Sequence, residues 1–226
     1  VKAYSLKLLS PLYFRSRIDS GAAGSTVTNQ WIGDIALLYA MNSALAIKQL
    51  KFGYTEHTSK YQEIRDFDTF TSVAMPSGPL SLTRVYDIAT SFMSEGYPQA
   101  DAMLKSGRAP FRNWMKRQGI QPGNEFTFVT FSKDGATPLP DRFTIRLGNS
   151  RETVAACSAI DSKEIRTIAI NAYTLYLLFG VQKGNEIVSA LKNIEPGMYI
   201  ENSSYQYVLL KNLPIKFTSE LLNPYN

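Results

Sequence analysis

The groups in this sequence best suited to chemistry lie in one segment, Leu139-Pro-Asp-Arg-Phe-Thr-Ile-Arg-Leu-Gly-Asn-Ser-Arg151. Its alternate positions Arg142, Thr144 and Arg146 share one face of a strand, while Phe143, Ile145 and Leu147 point the other way, into a core. Gly148-Asn149-Ser150 then forms a turn rich in backbone donors, and Arg151 adds a further cation. Guanidinium groups meet phosphate oxygens in pairs, and successive backbone amides make an anion-binding concavity, so the pattern suits a phosphate backbone. A solvated strand face has the same pattern, and the rest of the chain must separate the two.

Two other stretches add to the cationic set. Tyr13-Phe14-Arg15-Ser16-Arg17 ends a strand with aromatics and guanidiniums beside a Gly/Ser loop. Arginine with nearby aromatics pairs phosphates and stacks on bases; Phe14 itself reads as core. Trp31 follows at a helix start, where backbone N–H groups also favour an anion. Lys105, Arg108, Arg112, Lys116 and Arg117 interleave with Phe111 and Trp114. That mixture fits a segment resting on nucleic acid and equally a loop resting on a partner protein. Met75-Pro-Ser-Gly-Pro-Leu80 presents an apolar side chain at a turn, which wedges between bases or packs on its own domain.

Catalytic chemistry has little material. His57 is the only histidine and sits in a polar loop, without a partner to position it as a general acid or base. The single cysteine, Cys157, lies in an apolar strand-like context, which makes it a buried structural thiol and excludes an internal disulfide or a Cys-rich zinc site. No phosphate-binding loop, dinucleotide fingerprint or nucleophile elbow is present; Gly21-Ala-Ala-Gly24 is a flexible loop. The sequence therefore calls for no cofactor and no metal.

Charge follows the same division. The net charge is +5 and the isoelectric point about 9.2. Residues 1–60 carry seven Lys/Arg against three acids and residues 101–151 nine against four, whereas 61–100 carry two against five and 152–226 six against seven. Polarised charge favours an anionic partner on one face. A hydrophobic content of 44% is enough for a substantial core. With no apolar run of membrane-spanning length, and a start that reads as a strand, a cytoplasmic protein with no membrane contact is expected.

These groups must be positioned by elements that the periodicity places in order. A first strand is expected over Lys2–Phe14, with Tyr4, Leu6 and Leu8 opposed to Lys2, Ser5 and Lys7. Asn29 then caps a nearly all-apolar helix from Gln30 to about Lys51, closed by Gly53. Phe67–Met75 and Leu80–Phe92, joined by Pro76-Ser-Gly-Pro79, predict a long hairpin. Met93–Gly119 reads as irregular, with a short helix around Asn113–Gln118. Strands follow at Glu125–Ser132, at the arginine segment and at Thr153–Ile160. The last third is read as strand-rich: a long apolar run over Ile165–Phe179, a short helix over Ile187–Ile194, paired strands at Met198–Glu201 and Tyr205–Leu210, and a last one at Leu213–Phe217. The fold class is α+β, mostly antiparallel.

The Leu-Tyr-Phe-Arg-Ser-Arg strand end, the Ile32-Gly-Asp-Ile-Ala-Leu-Leu-Tyr-Ala40 helix and Leu139-Pro through Ile145-Arg-Leu-Gly148 together resemble the type I-D CRISPR Cascade subunit of the Cas-five family, also called Csc-one. The resemblance spans most of residues 1–160. It implies a ferredoxin-like RAMP domain over 1–160 with a hairpin insertion at about 61–92, and a strand-rich part over 161–226 packed on it. It further implies a non-catalytic protein that caps the 5′ handle of a guide RNA. Its neighbours would be a Cas-seven-like backbone subunit and a Cas-ten-like large subunit, close to where target double-stranded DNA is read beside the protospacer-adjacent motif. Tyr13, Arg15, Arg17 and Trp31 would hold the handle, Arg142, Arg146, Asn149 and Arg151 would line its phosphates, and Met75 would sit at the hairpin tip. Lys105, Arg108, Arg112, Lys116 and Arg117 would meet DNA or a neighbouring subunit. The lysine usual after Ile-Arg-Leu-Gly is Asn149 here, leaving Arg146 and Arg151 to supply the charge. The rival readings are a metal-independent RAMP endoribonuclease and a protein–protein scaffold.

Overall fold

A computed structural model describes residues 1–13, 25–46, 61–90, 113–148, 153–194, 199–204, 207–216 and 218. Its centre is a strand with apolar groups on both faces, β1 (Lys2–Leu8). Tyr4, Leu6 and Leu8 are buried on one face and Ala3 on the other. Such a strand belongs in the middle of a sheet, and β1 is flanked on both sides by antiparallel neighbours, β7 (Glu125–Ser132) and β9 (Thr153–Ile160). The six-stranded sheet runs β3-β7-β1-β9-β8, with β3 (Thr69–Thr71) and β4 (Met75–Pro76) both pairing β7, and β8 (Arg142–Leu147) at the far edge.

Helix α1 (Asp34–Leu45) follows β2 (Ser25–Val27) and covers one face of this sheet. Its Leu37 and Met41 join Tyr4, Leu6, Leu8, Phe126, Phe128, Ile145, Leu147 and Cys157 in the main core. The expected cap at Asn29 is not used. Ile32 is pinned instead by reciprocal backbone hydrogen bonds with Ala74, at 3.0 and 2.9 Å, so the helix can begin only after Gly33. It ends at Ala46, in the left-handed region at φ 50°.

Among the described residues, the two arms of the predicted hairpin, Phe67–Met75 and Leu80–Phe92, do not pair with each other. β3 and β4 pair with β7, whereas β5 (Tyr86–Thr90) pairs with β6 (Asn113–Gln118), which also pairs with β2. Asn113–Gln118, expected as a short helix, is thus the middle strand of a second, three-stranded sheet.

The C-terminal third is less strand-rich than its composition suggests. The apolar run over 165–179 splits into β10 (Thr167–Asn171) and helix α2 (Ala172–Phe179). Asn171 makes the switch: its side chain accepts a hydrogen bond from the Tyr173 N–H at 3.1 Å, the mark of an N-cap. After Gly180 comes α3 (Val181–Ile194), longer than expected. β11 (Tyr199–Ser204) and β12 (Tyr207–Pro214) then pair as the sequence predicted, and β12 also pairs with β10. These elements bury Ile168, Ile170, Leu175, Leu191 and Leu210 against Ala3, Phe70, Val129 and Phe131, on the face of the main sheet opposite the main core.

Candidate nucleic-acid interface

The arginine segment forms the strand expected of it. In β8, Arg142, Thr144 and Arg146 are exposed, Phe143 is half-buried, and Ile145 and Leu147 are buried. The start of the strand is fixed by β1. The Lys2 ammonium donates to Asp141 Oδ1 at 2.6 Å and to the Leu139 carbonyl at 2.8 Å, and the Tyr4 hydroxyl donates to the Pro140 carbonyl at 3.0 Å. The hydrogen bond from Lys2 holds the Asp141 carboxyl below its ordinary pKa. Lys2 also lies 5.5 Å from the centroid of the Tyr4 ring, so it shares the Tyr4 side of the strand and is not opposed to it as the pattern suggested.

The register carries the arginine face across the sheet. Directly paired residues on neighbouring strands point to the same side, so Arg142 continues through Ser158, Ser5 and Thr127 to Met75. Thr144 continues through Ala156 and Lys7 to Glu125. Beside Arg146 stands Val154, whose carbonyl accepts from the Leu9 N–H at 2.8 Å. One half of this sheet face lies under the C-terminal elements; the half bounded by these residues is open. Arg142, Thr144, Arg146, Ser158 and Lys7 are exposed on it, and Leu9 is 52% exposed.

Charge on the open face favours an anion. Lys7 pairs with Glu125 at 3.3 Å, whereas Arg142 and Arg146 make no ion pair among the described residues. They stand about 14 Å apart along the strand. The surface carries no large aromatic side chain among its named residues.

Tyr13 joins this site at one corner. Its ring lies over Gly119, where a Cβ would come within 2.7 Å of it. Its carbonyl lies over Gly148, whose φ is +83° and whose Cβ, if present, would sit 3.1 Å from that oxygen. The end of β8 and the strand end after β1 therefore meet, two residues beyond Arg146. Thr153 Oγ1 donates to the Pro11 carbonyl at 2.7 Å and Ser10 Oγ accepts from the Val154 N–H at 2.8 Å, which closes the same corner.

Other expected site residues fall elsewhere. Trp31 is 3% exposed and packs with Val73, Ala169 and Leu209, so it is a core side chain with no face for a base. Met75 is half-buried against that cluster and paired with Thr127, not a protruding tip. The turn after it folds back on its own chain: Ser77, Gly78 and Pro79 line an open cleft of about 520 Å³ with Gln121–Glu125. Lys116 and Arg117 are consecutive positions of β6. Arg15, Arg17, Asn149, Arg151, Lys105, Arg108 and Arg112, with His57, lie outside the described residues. Sequence reasoning missed Ser5, Ser158 and Lys7 as parts of the site. They belong to strands far apart in the chain, and only the strand order brings them beside Arg142.

Cys157 lies on the core face of β9, where burial pushes its thiol up to about 12. Among the described residues no group of acids, cysteine and histidine is arranged to hold a metal, and no helix is long and apolar enough to cross a membrane.

Residues 1–219 match the family model described as type I-D CRISPR-associated protein Cas5/Csc1, and the chain belongs to that family. No curated protein matches it.

Proposed function

We propose that the chain is a non-catalytic RNA-binding subunit of the type I-D CRISPR surveillance (Cascade) complex, which caps the 5′ handle of the guide RNA and helps position target DNA near the protospacer-adjacent motif. The observation that carries this reading is the pair of guanidiniums, Arg142 and Arg146, unpaired among the described residues on an open sheet face, in a chain of a type I-D CRISPR family. The mechanism is positioning: contacts to the RNA backbone fix the guide, and base pairing reads the target.

The strand order supports a RAMP-type reading of residues 1–160. β3, β7, β1 and β9 stand in the order of a ferredoxin-like sheet with α1 between β1 and β3, and β8 occupies the stretch where a second helix would lie. Tyr13, beside Gly148, supports placing the handle along this corner, with Arg15, Arg17, Asn149 and Arg151 following closely in the chain. The described elements after Ile160 (β10, α2, α3 and β12) pack on the opposite half of that face, in keeping with a C-terminal part that braces it. Lys105, Arg108, Arg112, Lys116 and Arg117 serve target DNA or the Cas-seven-like and Cas-ten-like neighbours.

The test incubates the purified chain with RNA transcribed from the CRISPR repeat. The expected result is intact RNA, retained by the wild type and released by Arg142→Gln/Arg146→Gln. Discrete cleavage products would replace this reading with the endoribonuclease. No salt-sensitive retention, and no loss on the double substitution, would leave the scaffold.

A further inference from the structure

The open face offers more than cations. Thr144, Ser158 and Ser5 carry hydroxyls with no hydrogen-bond partner among the described residues; Thr144 lies on the Arg142–Arg146 rim itself, and Ser158 and Ser5 lie on the next two strands inward. Ser158 is one strand spacing from Arg142 and Ser5 is two, at about 5 and 10 Å; Thr144 stands between the arginines. In a nucleotide the ribose lies between phosphate and base at a comparable distance. A strand whose phosphates lie on the rim sets its sugars above these hydroxyls. Its bases then extend toward Thr127, over a floor that holds Ser5 and Ala156 beside the Lys7–Glu125 pair.

We infer that this face selects ribonucleotides over deoxyribonucleotides, through hydrogen bonds from Thr144, Ser158 and Ser5 to ribose 2′-hydroxyls. The inference rests on the proposed RNA-binding role of the same face. A 2′-hydroxyl both donates and accepts, as does each serine or threonine, so either partner can supply the proton. The arginines cannot make this distinction, because RNA and DNA carry the same phosphates. Nor can base stacking, since the floor presents Ser5, Ala156 and Leu9 where a stacking platform would present rings.

The experiment measures affinity of the whole chain for repeat-derived single-stranded RNA and for the same sequence made as DNA with deoxyuridine, at one salt concentration. The wild type is expected to favour RNA by about tenfold or more, as a few neutral hydrogen bonds allow. Ser5→Ala/Thr144→Val/Ser158→Ala brings the ratio close to one while DNA affinity holds; Arg142→Gln/Arg146→Gln weakens both polymers alike. Circular dichroism checks the fold, and Ser158→Ala alone, at an exposed position, gives a smaller drop in the ratio if the triple variant unfolds. Equal wild-type affinity for the two polymers, or a triple variant that keeps the full preference, overturns the inference and leaves RNA binding standing. A wild type that holds no RNA at any salt overturns the proposed function itself.

Discussion

Asp34 stands at the first turn of α1 and is buried where that helix meets the β10–α2 junction. Thr174 Oγ1 and Asn171 Nδ2 donate to its carboxylate oxygens, and the Thr71 hydroxyl donates to its carbonyl. Burial outweighs these donors and raises the carboxyl to about 6. A carboxyl with a higher pKa in the fold than in the unfolded chain binds its proton more tightly when folded, so stability falls as pH rises from about 4 to about 6 and is level above that. Thermal midpoints across this window are expected to show the decline in the wild type and to lose that component in Asp34→Asn. Cys157 gives an opposite kind of expectation. Its buried, protonated thiol should resist alkylation at pH 8 until the chain unfolds, as a mass shift would report. Gly148 is needed twice over, for its positive φ and for the Tyr13 carbonyl above it. Gly148→Ala should cost about 1–2 kcal/mol in denaturant unfolding and weaken RNA retention by displacing the end of β8.

At the scale of elements, β8 depends on the three-point tie between β1 and Leu139–Asp141. Tyr4→Phe removes one hydrogen bond from a half-exposed carbonyl and keeps the ring, so a loss of about 1 kcal/mol is expected, with RNA affinity reduced far less than by losing an arginine. β7 and β9 were legible to the residue, and so was the facing of Arg142 and Arg146. Period-two alternation states directly which side chains a strand hides. It does not state the partner. Val73 and Met75 look like one arm of a hairpin with Leu80–Phe92, yet Val73 bridges Ala169 of β10, Met75 pairs with Thr127 of β7, and Tyr86–Thr90 goes to β6. The 165–179 run failed for another reason. Strand and helix are both largely apolar there, and the change is marked by Asn171, whose side chain caps the helix. Trp31 shows the limit at the site. A tryptophan near cations suits a base, but burial is decided by Val73, Ala169 and Leu209, which the sequence scatters.

For the whole molecule, the two faces of the main sheet divide the labour. One is closed by α1; the other is half closed by the C-terminal elements, which cover Phe70, Val129 and Phe131. Ending the chain after Ile160 should uncover those rings and produce a protein that binds hydrophobic dye or aggregates. The open half sets the electrostatics. Each neutralised phosphate of a single strand contributes about −0.7 to the slope of log affinity against log salt, so Arg142→Gln/Arg146→Gln should flatten the slope by about 1.4. A salt titration of RNA binding measures this.

The position of β8 at the end of its sheet has a further effect. Among the described residues only β9 hydrogen-bonds to it, so its outer amides and carbonyls form a border to which a foreign strand can add. Two copies meeting along that border would bring their guanidiniums together, and like charge would push them apart. The cations that attract an anion thus also protect the chain from zipping onto itself, and a variant stripped of them should be watched for oligomers.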